Sequence, residues 1–186
     1  YNVDTNLMVD KFSMNLDAFI IIGEMPELSC IDYPAMYLLD RFAWHMQNTE
    51  GVKYAMSLAT LAKLGHSVWS EDNLKFKAMA RNKNTFSLTI GGVSLRTGLL
   101  DEKCTVLPVI AFTQDHKATT IKRVVASAKQ FIADNPMEGV TFKLASGNVG
   151  IMAATNEVIA EKEVPMLIAV YIAIIVLVIL AYRDWR

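Results

Sequence analysis

The sequence is poor in the residues that most often build catalytic and metal sites. It contains only two cysteines and three histidines. No HExxH motif occurs, and neither cysteine has a neighbour at zinc-finger spacing. A GxGxxG turn and a Gly-Lys-Ser/Thr phosphate loop are also missing. We therefore expect no metal, no cofactor and no catalytic residue, and we do not predict an enzyme.

The sequence also lacks a charge imbalance. Eighteen Lys and Arg residues stand against nineteen Asp and Glu residues, which gives a formal net charge of −1. No long basic run occurs, so we expect no nucleic acid as a partner.

One long run at the end of the chain lacks charge altogether. Residues 164–182 are nineteen uncharged residues, and twelve of them are Val, Ile or Leu. A helix of that length reaches roughly 28 Å, close to the thickness of the hydrocarbon core of a bilayer. The run predicts a transmembrane helix, and the bilayer is then a partner. A buried helix or a long interior strand is the alternative.

The flanks of this run predict an orientation. Glu161-Lys162-Glu163 precede it and are acidic on balance, whereas Arg183 and Arg186 follow it beside Trp185. An excess of Arg on one side marks the cytoplasmic end, so residues 183–186 begin a cytoplasmic segment and residues 1–163 lie outside the cytoplasm. Because no signal peptide precedes Tyr1, we expect the chain to be part of a larger membrane protein.

The two cysteines, Cys30 and Cys104, read most simply as a disulfide if the domain is exported. Closing a loop of this size would stabilise the fold by roughly 4–5 kcal/mol on the entropic model, as an upper figure. Two unrelated buried thiols remain the alternative.

The remaining chain contains two strand–helix–strand patterns. The first is predicted as a strand at 17–25, a helix capped by Asp32 with Pro34 in its first turn, and a strand at 53–62. The second comprises a strand at 105–114, a helix of about sixteen residues that starts near Asp115 and carries an apolar stripe, and a strand at 139–146 in which Thr141 and Lys143 are expected to face outward. The stripe consists of Ile121, Val124, Val125, Ala128, Phe131 and Ile132. Pro108 favours an edge position or a bulge for the third strand.

Two such units in one antiparallel sheet, with both helices on one face, form a ferredoxin-like split βαβ arrangement. We therefore predict an α+β fold in which an inserted cap, from about residue 64 to 103, separates the halves. Outside the cysteines, the expected roles are structural: His45 is predicted to be partly buried, His66 to lie in a turn, and Asp115 to cap a helix.

A set of short stretches resembles RND-superfamily exporters, in particular the hydrophobe/amphiphile-exporter-like and MMPL-like branch. The most specific is "LASGNVGIMAATNEVI" at 144–159, followed by the apolar run and "YRDWR". Further matching positions are Ile31-Asp32, Leu39-Asp40-Arg41, Glu50-Gly51-Val52, residues 57–63, Trp69, Asn73, Lys75, Arg81-Asn82, Leu99-Leu100, Cys104 and residues 133–135.

The resemblance implies a periplasmic porter domain with its following membrane helix, taken from a proton-driven exporter in a bacterial inner membrane. Its cargo would be hydrophobic or amphiphilic, and its partners would be the rest of the transporter chain and, as a possible homo-oligomer, further copies. Trp69, Phe76 and Met79 are candidates for the substrate path, with a small cap core as their alternative role.

Two other functions compete with this one. An extracytoplasmic ligand-binding or sensor domain has the same order, a domain outside and then one helix. A soluble enzyme could instead bury residues 164–182 as a core helix.

Overall fold

A four-stranded antiparallel sheet forms the centre of the fold, in the order β2-β3-β1-β4. The structure is a computed structural model that describes Leu7, residues 17–115 and residues 117–182. The strands are β1 (Ala18–Glu24), β2 (Val52–Ser57), β3 (Val106–Thr113) and β4 (Thr141–Ser146). The helices of the described part are α1 (Tyr33–Gln47), α2 (Leu58–Trp69), α3 (Lys83–Ile90), α4 (Ala118–Asp134) and α5 (Gly147–Tyr182). The predicted α+β class is confirmed.

Helix α1 begins where the sequence predicts. The side chain of Asp32 accepts a hydrogen bond from the N–H of Ala35 at 3.3 Å, and Pro34 occupies the first turn. The carboxylate satisfies one of the unpaired N–H groups of the helix start, and proline has no N–H to leave unpaired there. This prediction is confirmed.

The predicted strand at 53–62 is wrong in its second half. The strand ends at Ser57, and α2 starts at once at Leu58. Leu58, Ala59 and Ala62 are buried at helical spacing, and Ala and Leu favour helices. The N–H of Ser57 donates to the Thr60 hydroxyl at 3.2 Å, which completes the start of the helix.

The expectation of an edge or bulge at Pro108 is wrong for the strand as a whole, because β3 lies between β1 and β2. Pro108 pairs with Ile22 of β1, whereas pairing with β2 reaches only as far as Val109. Pro108 therefore lies one residue beyond the end of the pairing with β2. At this position β3 has a partner strand on one side only, so the missing N–H of proline breaks no hydrogen bond to β2.

Helices α1 and α4 form the main core with one face of the sheet. The predicted stripe on α4 is confirmed, because Ile121, Val124, Ala128 and Phe131 are buried. Phe42 of α1 stacks on Phe131 with ring centroids 4.5 Å apart. Offset aromatic pairs of this kind add to the stabilisation from area burial alone.

The residues between β2 and β3, 58–105, are called the cap below. They hold α2, α3 and two short 3-10 turns, Leu74–Phe76 and Leu95–Thr97. The predicted start of the insertion at residue 64 thus falls inside α2. His66, predicted in a turn, lies within α2, where its Nδ1 is 2.7 Å from the carbonyl oxygen of Ala78.

Helix α5 is continuous for 36 residues, from Gly147 to Tyr182, and it contains Pro165. At 1.5 Å per residue it is about 54 Å long. Its first turn is held by the domain, since Val149 and Gly150 are buried. The helix is long and apolar enough to cross a membrane, and its most apolar window is 0% buried. Residues 183–186, on which the predicted orientation depends, lie outside the described residues.

The junction between β4 and α5 depends on Gly147. Its φ is +76°, and a Cβ atom there would stand 2.6 Å from the carbonyl oxygen of Ala18. Only glycine fits both the backbone angle and the close approach. The domain therefore passes into the long helix through a turn with no intervening loop.

Candidate functional surface

The two faces of the sheet differ because successive side chains of a strand point to opposite sides. The face towards α1 and α4, the inner face, carries Phe19, Ile21, Leu107, Val109, Ala111 and Ala55. The register places a second set together on the other side. This outer face carries Ile20, Ile22, Tyr54, Met56, Pro108, Ile110 and Phe112.

The outer face is apolar and keeps contact with solvent. On the inner face Ile21 and Val109 are 0% exposed. On the outer face Pro108 is buried, but Ile22 and Ile110 are only partly buried, and Tyr54 is 44% exposed. None of the outer-face residues belongs to the hydrophobic core or packs against it. Large side chains on an open sheet face partly bury one another. Most of these residues are therefore partly buried even though no second layer of the described chain covers the face.

The outer face has an aromatic side and a charged corner. Tyr54 and Phe112 stack with ring centroids 6.5 Å apart and an interplanar angle of 20°. At the opposite side of the sheet, Lys143 of β4 forms a 2.6 Å ion pair with Glu24 of β1. The exposure of Lys143 is as predicted. The outer face thus combines an apolar, partly aromatic centre with a charged corner.

The three residues predicted for the substrate path do not lie on this face. Trp69 ends α2 and is 73% exposed, and Phe76 is 44% exposed. Phe76 meets the ring of His66 edge-on at 5.5 Å. Met79 is half-buried against the core. The cap therefore separates Trp69 and Phe76, which face solvent, from Met79, which packs inward.

The core of the cap consists of other residues, Phe86, Ile90 and Leu99, which are 2%, 6% and 1% exposed. Helices α2 and α3 approach closely at Gly65, where a Cβ atom would stand 2.7 Å from the carbonyl oxygen of Thr89. The alternative role for Trp69 and Phe76, as the core of the cap, is therefore wrong.

Cys30 and Cys104 form a disulfide, as predicted, with Cα atoms 5.3 Å apart and a sequence separation of 74 residues. It joins the segment before α1 to the end of the cap. Cys104 has a φ of +56°, and its N–H donates to the carbonyl of Asp101 at 3.1 Å. The covalent link therefore fixes both ends of the region that contains α1, β2 and the cap.

The Asp101 carboxylate organises the turn that presents Cys104. It accepts hydrogen bonds from the N–H groups of Thr105 and Val106 at 2.6 and 2.7 Å, and from the Thr105 hydroxyl at 2.8 Å. Burial opposes the charged form, but the bonds from Val106 and Thr105 hold the pKa of the Asp101 carboxyl below its usual value.

The remaining polar candidates have structural surroundings. His45 is partly buried, as predicted, and its Nε2 lies 2.8 Å from the Ser127 hydroxyl. The Thr120 hydroxyl lowers the pKa of Asp115, which also accepts from the N–H of Lys117 at 3.2 Å. Asp115 thus supports the start of α4 from two residues before the N-cap position, which Lys117 occupies. Among the described residues, no group of three or more His, Cys, Asp or Glu side chains could hold a metal ion.

The outer face was missed by the sequence analysis, although a signal for it exists. Residues 18–22 and 106–112 are nearly unbroken apolar runs, without the alternation that a strand with one wet face shows. Such runs are typical of strands that are covered on both faces. If helices cover only one face of a sheet whose strands are apolar throughout, the other face of the sheet must also be apolar. Such a face is expected to be covered by another part of the protein or by a ligand.

No protein-family model matches the chain. A search of characterised proteins also finds no significant match.

Proposed function

We propose that this chain is the extracytoplasmic porter domain, with the transmembrane helix that follows it, of a proton-driven RND-type exporter of hydrophobic or amphiphilic molecules. The proposal includes the finer fold, a duplicated strand–helix–strand unit of the ferredoxin-like type. An antiparallel sheet in the order β2-β3-β1-β4, with α1 between β1 and β2 and α4 between β3 and β4, is what such a unit requires.

The observation that carries the proposal is the apolar outer face on a domain that continues into a helix able to span a membrane. A porter must offer hydrophobic cargo a binding surface outside the bilayer. Ile22, Ile110 and Phe112 provide that surface, and the aromatic pair with Tyr54 adds flat area for contact.

In this proposal the domain lies in the periplasm of a bacterium, and α5 is anchored in the inner membrane. The rest of the transporter chain supplies the proton relay, because residues 164–182 contain no acidic side chain. That remainder, or a further copy of the chain, is also a partner that could cover part of the outer face.

The test is export by the complete protein that carries this chain. Cells that express it should accumulate less of a hydrophobic fluorescent dye, and collapsing the proton gradient should abolish the difference. Phe112→Glu should restore accumulation, because a charge on the outer face disfavours apolar cargo. Lys53→Glu places the same side chain at a neighbouring exposed position and should leave export unchanged. Equal accumulation with and without the protein would overturn the proposal.

A sensor domain is a second candidate, and the continuity of α5 favours it. One unbroken helix from the sheet through Pro165 to Tyr182 would transmit a movement of the domain into the membrane. A sensor predicts that ligand binding to the outer face changes the mobility of a spin label at Tyr182, without any export of the ligand. Export without such a change favours the porter.

A further inference from the structure

A groove separates α4 from the part of α5 that lies before the apolar run. It encloses about 400 Å³. Its walls are apolar, with Ile121, Val125 and Ala126 on α4 and Ala153 and Ala160 on α5. Ala153 and Ala160 are seven residues apart, so they lie on the same side of α5, and their small side chains leave the space between the helices open.

We infer that this groove binds the hydrocarbon chain of an anionic, single-chain amphiphile such as a fatty acid. Its volume lies near the lower end of the range of about 300–1,000 Å³ that is typical of ligand pockets. A groove of this size suits one chain better than the two chains of a bilayer lipid. The apolar walls range from the buried Ile121 to the exposed Ala126 and Ala160, which suits a flexible chain better than a rigid polar solute.

The charges around the groove select an anion. Lys122 and Lys129 line it from α4, and Glu157 is the one acidic residue in the lining. Lys129 pairs with Glu157 at 3.2 Å, but the two side chains are 52% and 70% exposed. Exposed pairs of this kind are weak, so Lys129 can turn towards a bound carboxylate. The lining thus carries one positive charge in excess, next to apolar walls.

The position along α5 connects the groove to the bilayer. Ala160 precedes Val164 by four residues on one continuous helix, a rise of about 6 Å. An amphiphile could thus reach the groove from the outer surface of the membrane. This step depends on the proposed function for the placement of α5, and it adds a named site and a charge class to that proposal.

The experiment uses the full 186-residue chain in nanodiscs of zwitterionic lipid, with a diazirine derivative of palmitate as the probe. The matching derivative of hexadecanol has the same chain without the charge. Cross-linked peptides are then mapped. We expect labels on α4 and on residues 153–160, and stronger labelling by palmitate than by the alcohol.

Two pairs of variants locate the site. Ala126→Trp fills the groove and should weaken palmitate labelling by about tenfold, because several methylene groups lose their contacts. Gln130→Trp adds the same ring at an exposed position outside the groove and should have no effect. Lys122→Glu should remove the preference for palmitate over the alcohol, whereas Lys122→Arg should keep it.

Labelling confined to residues 164–182, or unaffected by Ala126→Trp, would overturn the inference, as would equal labelling by the two probes. So would a groove that is closed by a second copy, detected as a dimer in the nanodisc that excludes the probe. Incorporation into nanodiscs reports on the membrane helix separately. A chain that inserts but does not bind palmitate therefore refutes the groove alone, whereas a chain that does not insert refutes the membrane placement.

Discussion

The inner and outer faces of the sheet have similar side chains and different surroundings. Ile21 and Ile22 are neighbours on β1, yet Ile21 is 0% exposed and packs in the core, while Ile22 keeps contact with solvent. The inner face is filled by α1 and α4. The outer face has equal apolar character, but the described chain does not bury it in a core. Apolar composition therefore serves stability on one side, and on the other side it is available for a ligand or a partner.

The sharpest test of this difference replaces the two neighbouring isoleucines. Ile21→Ala should lower the free energy of unfolding by about 2–5 kcal/mol, because it leaves a cavity in a packed core. Ile22→Ala should cost less than about 1 kcal/mol, since water fills the space. Thermal unfolding of the detergent-solubilised chain measures both. Equal losses would show that the outer face is buried in the folded protein.

Reducing the disulfide should lower the stability of the fold without changing the apolar surface of the outer face. Loss of the Cys30–Cys104 link should cost about 2–4 kcal/mol, because the unfolded chain regains the freedom of a long loop. The melting temperature should fall with reductant, while binding of a hydrophobic dye at low temperature stays unchanged. The double Cys→Ser variant is the control and should ignore reductant. A melting curve that reductant does not shift would refute a stabilising role for the bridge.

A third test, with a smaller expected effect, concerns the packing of α2 against α3 in the cap. Gly65→Ala should cost about 1–3 kcal/mol, because the new methyl group meets the backbone of α3. Gly92→Ala is the matched control, since a Cβ atom there meets nothing within 4 Å. Proteolysis of the cap should become faster in the first variant and stay unchanged in the second. Similar rates in both variants would contradict the close helix crossing.

The smallest expected effect concerns Asp101 and depends on pH. Asp101→Asn should cost about 1–2 kcal/mol at pH 7, because an amide cannot replace all the bonds that the carboxylate accepts. The folded-state pKa lies below the usual value of about 3.9, so this stabilisation is present above that value and is lost as the pH falls through the folded-state pKa. The difference in melting temperature between the two proteins should shrink towards pH 3. A constant difference would show that the charge is unimportant.

The sequence predicted the elements whose signals are local. An Asp-Tyr-Pro start fixed the beginning of α1, and the apolar stripe from Ile121 to Phe131 identified α4. The boundary at Ser57 was missed because the strand and the helix that follows it form one largely apolar stretch, and a single Ser at their junction did not stand out as an N-cap. The continuity of α5 from Gly147 was missed because polar and charged residues at 155–157 and 161–163 interrupt the hydrophobicity without interrupting the helix.

The candidate surface was less predictable than the fold. Trp69 and Phe76 were predicted to line the substrate path because they are aromatic residues in a polar stretch, but in the structure they do not lie on the outer face of the sheet. The outer face becomes visible only when the register brings Ile20, Ile110 and Met56 side by side from three strands. Single-sequence patterns carry no information about such cross-strand neighbours, although unbroken apolar runs in β1 and β3 give a partial signal.

The most direct test of the account compares residues 1–163 with the full chain of 186 residues in a liposome flotation experiment. The shorter chain ends before the apolar run and keeps the part of α5 that packs on the domain, including Val149 and Gly150. The account predicts that it folds in buffer without detergent and stays at the bottom of the gradient. The full chain should float with the lipid. A full chain that remains soluble and monodisperse, with a shorter chain that unfolds, would contradict the membrane anchor and the porter function that depends on it.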